Sequence, residues 1–120
     1  MKQNRILVVD DEKVIRELFL RLFSAKYEMD TARDGKEALE KLAARRPGLV
    51  FLDMMMPGIS GMDLLKEVFK SCPGINVLVM TGVAFEDMKN AVLETGARGF
   101  IRKPFTIDEL EKYVEQIFYE

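Results

Sequence analysis

Two kinds of apolar spacing alternate along the chain. Ile6-Leu-Val-Val9, Leu49-Val-Phe-Leu52 and Ile75 to Met80 are strand-length runs dominated by apolar, often β-branched, residues. Runs with no polar alternation predict strands covered on both faces, as in a parallel sheet packed between helices. Tyr27 to Ala32 alternates only in part and reads as a weaker strand near an edge, and Gly99-Phe-Ile-Arg102 reads as a short fifth strand. Between these runs the spacing becomes helical. It does so over Val14 to Phe23, at Ala38, Leu39, Leu42 and Ala43, at Met62, Leu65 and Phe69 beside Leu64 and Val68, over Phe85 to Glu94, and at Leu110, Val114 and Ile117. The punctuation agrees. Asp34 is placed to cap a helix that Pro47-Gly48 ends, Cys72-Pro-Gly74 and Thr95-Gly96 stop the next two, and Thr106-Ile-Asp-Glu109 forms a capping box for the last.

Strands and helices in strict alternation, joined by short connections, predict an α/β domain with a parallel sheet covered on both sides. The expected strand order is 2-1-3-4-5, the flavodoxin-like doubly wound (βα)5 arrangement. At 120 residues the chain is expected to be a single domain over 1–120 with no attached output domain. In that topology the C-terminal ends of strands one, three, four and five share an edge, and they carry Asp10 and Asp11, Asp53, Thr81, and Lys103.

Composition narrows the function. A net charge of -2 with acids and bases interspersed argues against a nucleic-acid or anionic-membrane partner, since either needs a basic surplus. Cys72 is the one cysteine and has no internal partner for a disulfide. The opening Met1-Lys-Gln-Asn-Arg-Ile leads into an apolar run too short for a signal peptide or a membrane span, so a soluble, cytoplasmic protein is expected.

An acid such as Asp53 beside Pro57, Gly58 and Gly61 often does no more than form a turn. The rest of the edge changes that reading. Crowded carboxylates stay ionised only beside a cation. A set of carboxylates with backbone carbonyl and water, and no histidine or thiolate, is hard-ligand chemistry suited to Mg2+. A carboxylate can also accept a phosphoryl group as an acyl phosphate. In such a transfer the Lys103 ammonium and the Thr81 hydroxyl neutralise and orient the phosphoryl oxygens.

With these residues in view the chain resembles the receiver domains of two-component response regulators, over essentially its whole length. The resemblance rests on Asp10-Asp11, on Asp53-Met-Met-Met-Pro-Gly-Ile-Ser-Gly61 as a D-x-x-M-P-x-x-x-G signature, on Thr81-Gly82, and on Lys103-Pro104-Phe105. It implies that Asp53 is the phosphoacceptor, Asp11 a direct Mg2+ ligand, Asp10 a second acid acting through water, and the Met55 carbonyl a further ligand. It also implies that Thr81 and Lys103 hold the phosphoryl oxygens, that the Lys103-Pro104 bond is cis, and that Phe100 occupies the position of a switch aromatic. The family is a phosphoacceptor switch that catalyses its own phosphorylation and dephosphorylation, not an enzyme acting on a separate substrate.

Further expectations follow. The apolar side chains of Met55 and Val83 cannot orient an attacking water, which predicts a long-lived phosphoryl group. The three adjacent methionines 54 to 56 are expected to pack or be exposed, not to converge on a soft metal. The first helix is more apolar than one buried stripe requires, so Val14, Ile15 and Leu18, with Pro104 and Phe105, form a proposed docking patch. By the resemblance, its partner is the four-helix phosphotransfer domain of a sensor histidine kinase. The chain has no histidine and so depends on a separate phosphodonor, and output passes by protein contact or onward to a phosphotransfer protein. The alternatives are a Mg2+-dependent aspartyl phosphatase or phosphotransferase, in which Met55 stands where the second acid belongs, a flavin module, whose phosphate Asp10-Asp11-Glu12 would repel, or a binding module that works without phosphorylation.

Overall fold

The computed structural model describes residues 4–82 and 85–119. Strands β1 (Arg5–Val9), β2 (Glu28–Ala32), β3 (Leu49–Asp53), β4 (Asn76–Thr81) and β5 (Gly99–Arg102) alternate with helices α1 (Lys13–Phe23), α2 (Gly35–Ala44), α3 (Gly61–Ser71), α4 (Phe85–Glu94) and α5 (Ile107–Tyr119). All strand pairs are parallel, and the sheet order is β2-β1-β3-β4-β5, the flavodoxin-like order expected from the pattern. The partly alternating β2 is indeed an edge strand. Tyr27 and Ile75 fall just outside their strands although both are buried, because apolar character reports burial and not backbone pairing.

Two apolar layers sandwich the sheet. Ile6, Val8, Leu49, Phe51, Leu78, Met80 and Ile101 pack with Phe19 and Phe23 of α1 and Leu110 and Val114 of α5. The alternate strand residues, such as Leu7, Val50, Leu52, Val77 and Phe100, face α2, α3 and α4 through Ala38, Leu65 and Val92. The period-two orientation of strand side chains divides one run, Leu49–Asp53, between the two layers.

The starts of α2, α3 and α5 follow the chemistry of their caps, while α1 begins after Glu12 without a side-chain cap. Asp34 accepts a hydrogen bond from the Glu37 N–H at 2.8 Å, and Ser60 from the Asp63 N–H at 3.2 Å. The capping box at α5 is reciprocal, with Glu109 N–H donating to Thr106 Oγ1 at 3.1 Å and Thr106 N–H to Glu109 Oε1 at 3.5 Å. Gly61 is needed for space, because a Cβ there would collide with the Met54 carbonyl. The turn leaving β3 therefore folds back onto α3 only with glycine at that position. Among the described residues no helix is long and apolar enough to cross a membrane.

Candidate functional site

The strands deliver the edge residues in a fixed arrangement. Asp53 is the last residue of β3 and Thr81 the last of β4, while Asp10 and Lys103 directly follow β1 and β5. Adjacent parallel strands hold these ends in register, with Asp53 opposite Met80 and Thr81 opposite Arg102. Asp10, Asp53 and Thr81 are the buried polar or charged residues among those described, so such burial gathers at one edge. Two of the three are carboxylates, and buried charges require a compensating partner.

Lys103 is that partner. Its Nζ lies 2.8 Å from Asp10 Oδ2, 3.5 Å from Asp53 Oδ2 and 3.6 Å from Glu12 Oε1. Burial alone pushes the Lys103 ammonium down, but the hydrogen bond and charge of Asp10, followed by Asp53 and Glu12, hold it above its usual value. Asp53 is pushed above the usual carboxylate value, first by burial, then by Asp10 and Asp11; the Met55 N–H and Lys103 oppose the rise. The Met55 N–H donates to Asp53 Oδ1 at 3.0 Å, the Glu12 N–H to Asp10 Oδ1 at 2.9 Å, and the Arg16 guanidinium to the Asp10 carbonyl at 2.8 Å. The Lys103-Pro104 peptide is cis, as the sequence resemblance implied.

Asp10, Asp11 and Glu12 each offer a carboxylate oxygen within 4.8 Å of the others. Asp10 is buried whereas Asp11 and Glu12 are exposed, giving the group an inner anchor and a solvent-facing mouth. The donors are all oxygen, and the Asp53 charge already needs a cation, so the residues fit a hard divalent ion. From sequence alone Glu12 counts only as a source of repulsion, and Arg16 does not stand out. A signal for Glu12 is present in the chain, a third acid on the same turn. Arg16 lies a helical turn away and gives none.

The remaining singled-out residues are distributed as follows. Phe100 is 7% exposed and packs in the layer facing α2, α3 and α4. In the proposed patch Val14 is 73% exposed, Pro104 is exposed and Leu18 half-buried, while Ile15 and Phe105 lean on the α1/α5 layer. The Phe105 ring meets Phe19 edge-on at 5.7 Å between centroids. Met54 is buried, Met55 exposed and Met56 half-buried, and with Asp11, Met62 and Met88 they border one groove of about 610 Å3. The expectation attached to Val83 lies outside the described residues.

Comparison with known proteins points the same way as this geometry. Residues 6–115 match the family model of the response regulator receiver domain. The response regulator MprA of Mycolicibacterium vanbaalenii is 37% identical over 107 residues, a match covering 88% of this chain and 46% of MprA, so the chain spans about half the length of the curated relatives it matches. A receiver domain protein from Clostridium thermocellum superposes with a TM-score of 0.88 at 31% identity, over 96% of this chain and 94% of that one. The response regulator TrrA of Thermotoga maritima, solved in complex with Mg(2+)-BeF, gives a TM-score of 0.83 at 38% identity, over 97% of this chain and 100% of that one. Fold, strand-end residues and sequence similarity together establish that the chain belongs to the receiver domains of two-component response regulators.

Proposed function

We propose that Asp53 accepts a phosphoryl group from the phosphohistidine of a sensor histidine kinase or phosphotransfer protein, and that the resulting dianion switches the domain's conformation. The observation that carries this reading is the pairing of the buried Asp10 and Asp53 with the Lys103 ammonium, at the sheet edge where β4 ends in the buried Thr81. In the transfer an Asp53 carboxylate oxygen bonds to phosphorus as the phosphorus–nitrogen bond breaks. The donor imidazole keeps the electron pair and takes up a proton.

Each neighbour has a part that its chemistry supports. Asp11, Asp53 and the Met55 carbonyl would hold Mg2+, with Asp10 acting through water, and the ion would supply positive charge to the phosphoryl oxygens. The crystallisation of TrrA with Mg(2+)-BeF supports the choice of metal. Lys103 is held as a cation by the acids around it and pairs with a second phosphoryl oxygen. The Thr81 hydroxyl takes a third, and its inward movement alters the space open to Phe100, which sits two positions before Arg102, the residue opposite Thr81 on β5.

The phosphodonor domain docks over Val14, Ile15, Leu18, Pro104 and Phe105, beside the acids; the exposure of Val14 on an otherwise amphipathic helix favours this surface. Output then passes by protein contact or by onward phosphotransfer. The apolar Met55 beside Asp53 offers no group to activate water, so the phosphoryl group is long-lived.

Intact mass after incubation with Mg2+ and acetyl phosphate tests the central claim. A gain of one phosphoryl group, lost in Asp53→Asn and in chelator, is expected; no gain by folded protein refutes it. Val14→Asp should slow transfer from a phosphohistidine donor while leaving the acetyl phosphate reaction unchanged, and equal loss with both donors refutes the docking surface.

A further inference from the structure

Five of the eight methionines of this chain, Met54, Met55, Met56, Met62 and Met88, border a single groove together with Asp11. They are not equally accessible. Met54 is 3% exposed and Met80 fully buried, Met29, Met56, Met62 and Met88 are half-buried, and Met55 is 51% exposed, the one exposed methionine among the described residues. Its backbone is tied to the reactive carboxylate, since its N–H donates to Asp53 Oδ1 at 3.0 Å. Its side chain therefore projects from a fixed point next to Asp53 into a groove that also reaches Asp11.

We propose that Met55 is an oxidation site, and that a peroxide acting there shortens the lifetime of the phosphoryl group on Asp53. The inference rests on the phosphoacceptor reading above. In the first step the Met55 sulfur attacks a peroxide oxygen. The O–O bond breaks, one oxygen stays on sulfur as a sulfoxide, and hydrogen peroxide is reduced to water. An apolar thioether becomes a strongly polar acceptor. That acceptor holds a water beside the phosphoryl group, where the thioether could not. In the second step this water adds to phosphorus as the bond between phosphorus and the Asp53 oxygen breaks, returning the carboxylate, with both protons of the water remaining on the released phosphate. Cys72, the chain's one thiol, does not compete: it is 6% exposed and caps α3 at the sheet edge opposite the site.

The test treats the full chain with hydrogen peroxide, maps sulfoxides by peptide mass, and follows loss of the phosphoryl group by intact mass in Mg2+ after acetyl phosphate is removed. Met55 is expected to be oxidised first among the described methionines, and the oxidised protein to lose its phosphoryl group several-fold faster. Met55→Gln, which places a polar acceptor at the same reach without oxidant, should shorten the untreated lifetime, and Met55→Leu should make the lifetime insensitive to peroxide. Oxidation of the half-buried methionines ahead of Met55, an unchanged lifetime in singly oxidised protein, or equal peroxide sensitivity in Met55→Leu would each overturn the proposal. If untreated protein takes up no phosphoryl group, the phosphoacceptor reading fails and the lifetime claim with it, while the order of methionine oxidation is still read directly.

Discussion

The two faces of the sheet are built from different materials. Under α1 and α5 the core is a chain of aromatic rings: Phe51 lies 4.7 Å from Phe19 and 6.4 Å from Phe23, Phe23 meets Tyr27 at 6.1 Å, and Tyr27 stacks on Phe118 at 5.2 Å. Under α2, α3 and α4 the buried cluster is aliphatic and methionine-bordered, with Phe100 as its one buried aromatic among the described residues. Rings held in edge-on and stacked pairs have few ways to repack, whereas leucines and methionines of similar volume exchange places at small cost. The ring-built face acts as a fixed base for Asp10 and for the α1 surface. The aliphatic face carries the methionine groove and Phe100, the side chain whose space a phosphoryl group on Asp53 is proposed to change.

Substitutions can break this contrast. Phe51→Ala removes the ring shared by Phe19 and Phe23 and is expected to lower unfolding free energy by about 4 kcal/mol in urea denaturation. Leu65→Met, fully buried on the other face, should cost under about 1.5 kcal/mol. A Leu65→Met loss as large as that of Phe51→Ala would show that the aliphatic face does not repack.

The edge between the faces comes next. Lys103→Met leaves Asp10 buried without its cation and should cost about 3 kcal/mol at neutral pH. The Lys103 pKa is raised in the folded state, so its contribution is fully present below its ordinary value of 10.5 and is lost only as pH rises past the folded value. The gap between wild type and variant should therefore stay constant from about pH 7 to 9 and close in more alkaline solution. Gly61→Ala forces the Met54 carbonyl to move and is expected to cost about 2 kcal/mol. It should also disturb the Met54–Met56 turn, visible as altered backbone amide chemical shifts there.

Asp53→Asn should have the opposite sign and the smallest size. Because burial raises the Asp53 pKa above 3.8, the folded state binds the proton more tightly than the unfolded chain does. Stability therefore falls as pH rises from the unfolded through the folded value, and the charge remains unfavourable at neutral pH. In chelator the variant should be more stable by on the order of 1 kcal/mol at about pH 7, the scale of one poorly compensated buried polar group. The advantage should vanish below pH 3.8, where Asp53 is protonated in both states. A variant less stable than wild type at neutral pH would show that Lys103 and the Met55 N–H outweigh burial.

The fold was legible because its information is local and periodic. Apolar runs, helical spacing and caps at Asp34 and Thr106 specify elements one at a time, and parallel strands with short crossovers leave few orders in which to join them. The same topology is enough to place Asp10, Asp53, Thr81 and Lys103 at one edge. Legibility failed where burial and pairing part company, as at Tyr27 and Ile75, and where a contact spans elements with no sequence period to announce it. The Arg16 guanidinium on the Asp10 carbonyl is of that kind, and so is Met88 joining Met54 to Met56 along one groove.

What the sequence by itself determined was the layered architecture and which residue types stand at the strand ends, because periodicity and turn chemistry act over a few residues, and the family through the resemblance of its motifs at those ends. Only the tertiary structure decided that Lys103 spans Asp10, Asp53 and Glu12, that Val14 is open while Ile15 and Phe105 lean on the core, and that Met55 is the most exposed of the described methionines. Those outcomes depend on distances and exposure set by several elements packing at once, and no local stretch of chain encodes them.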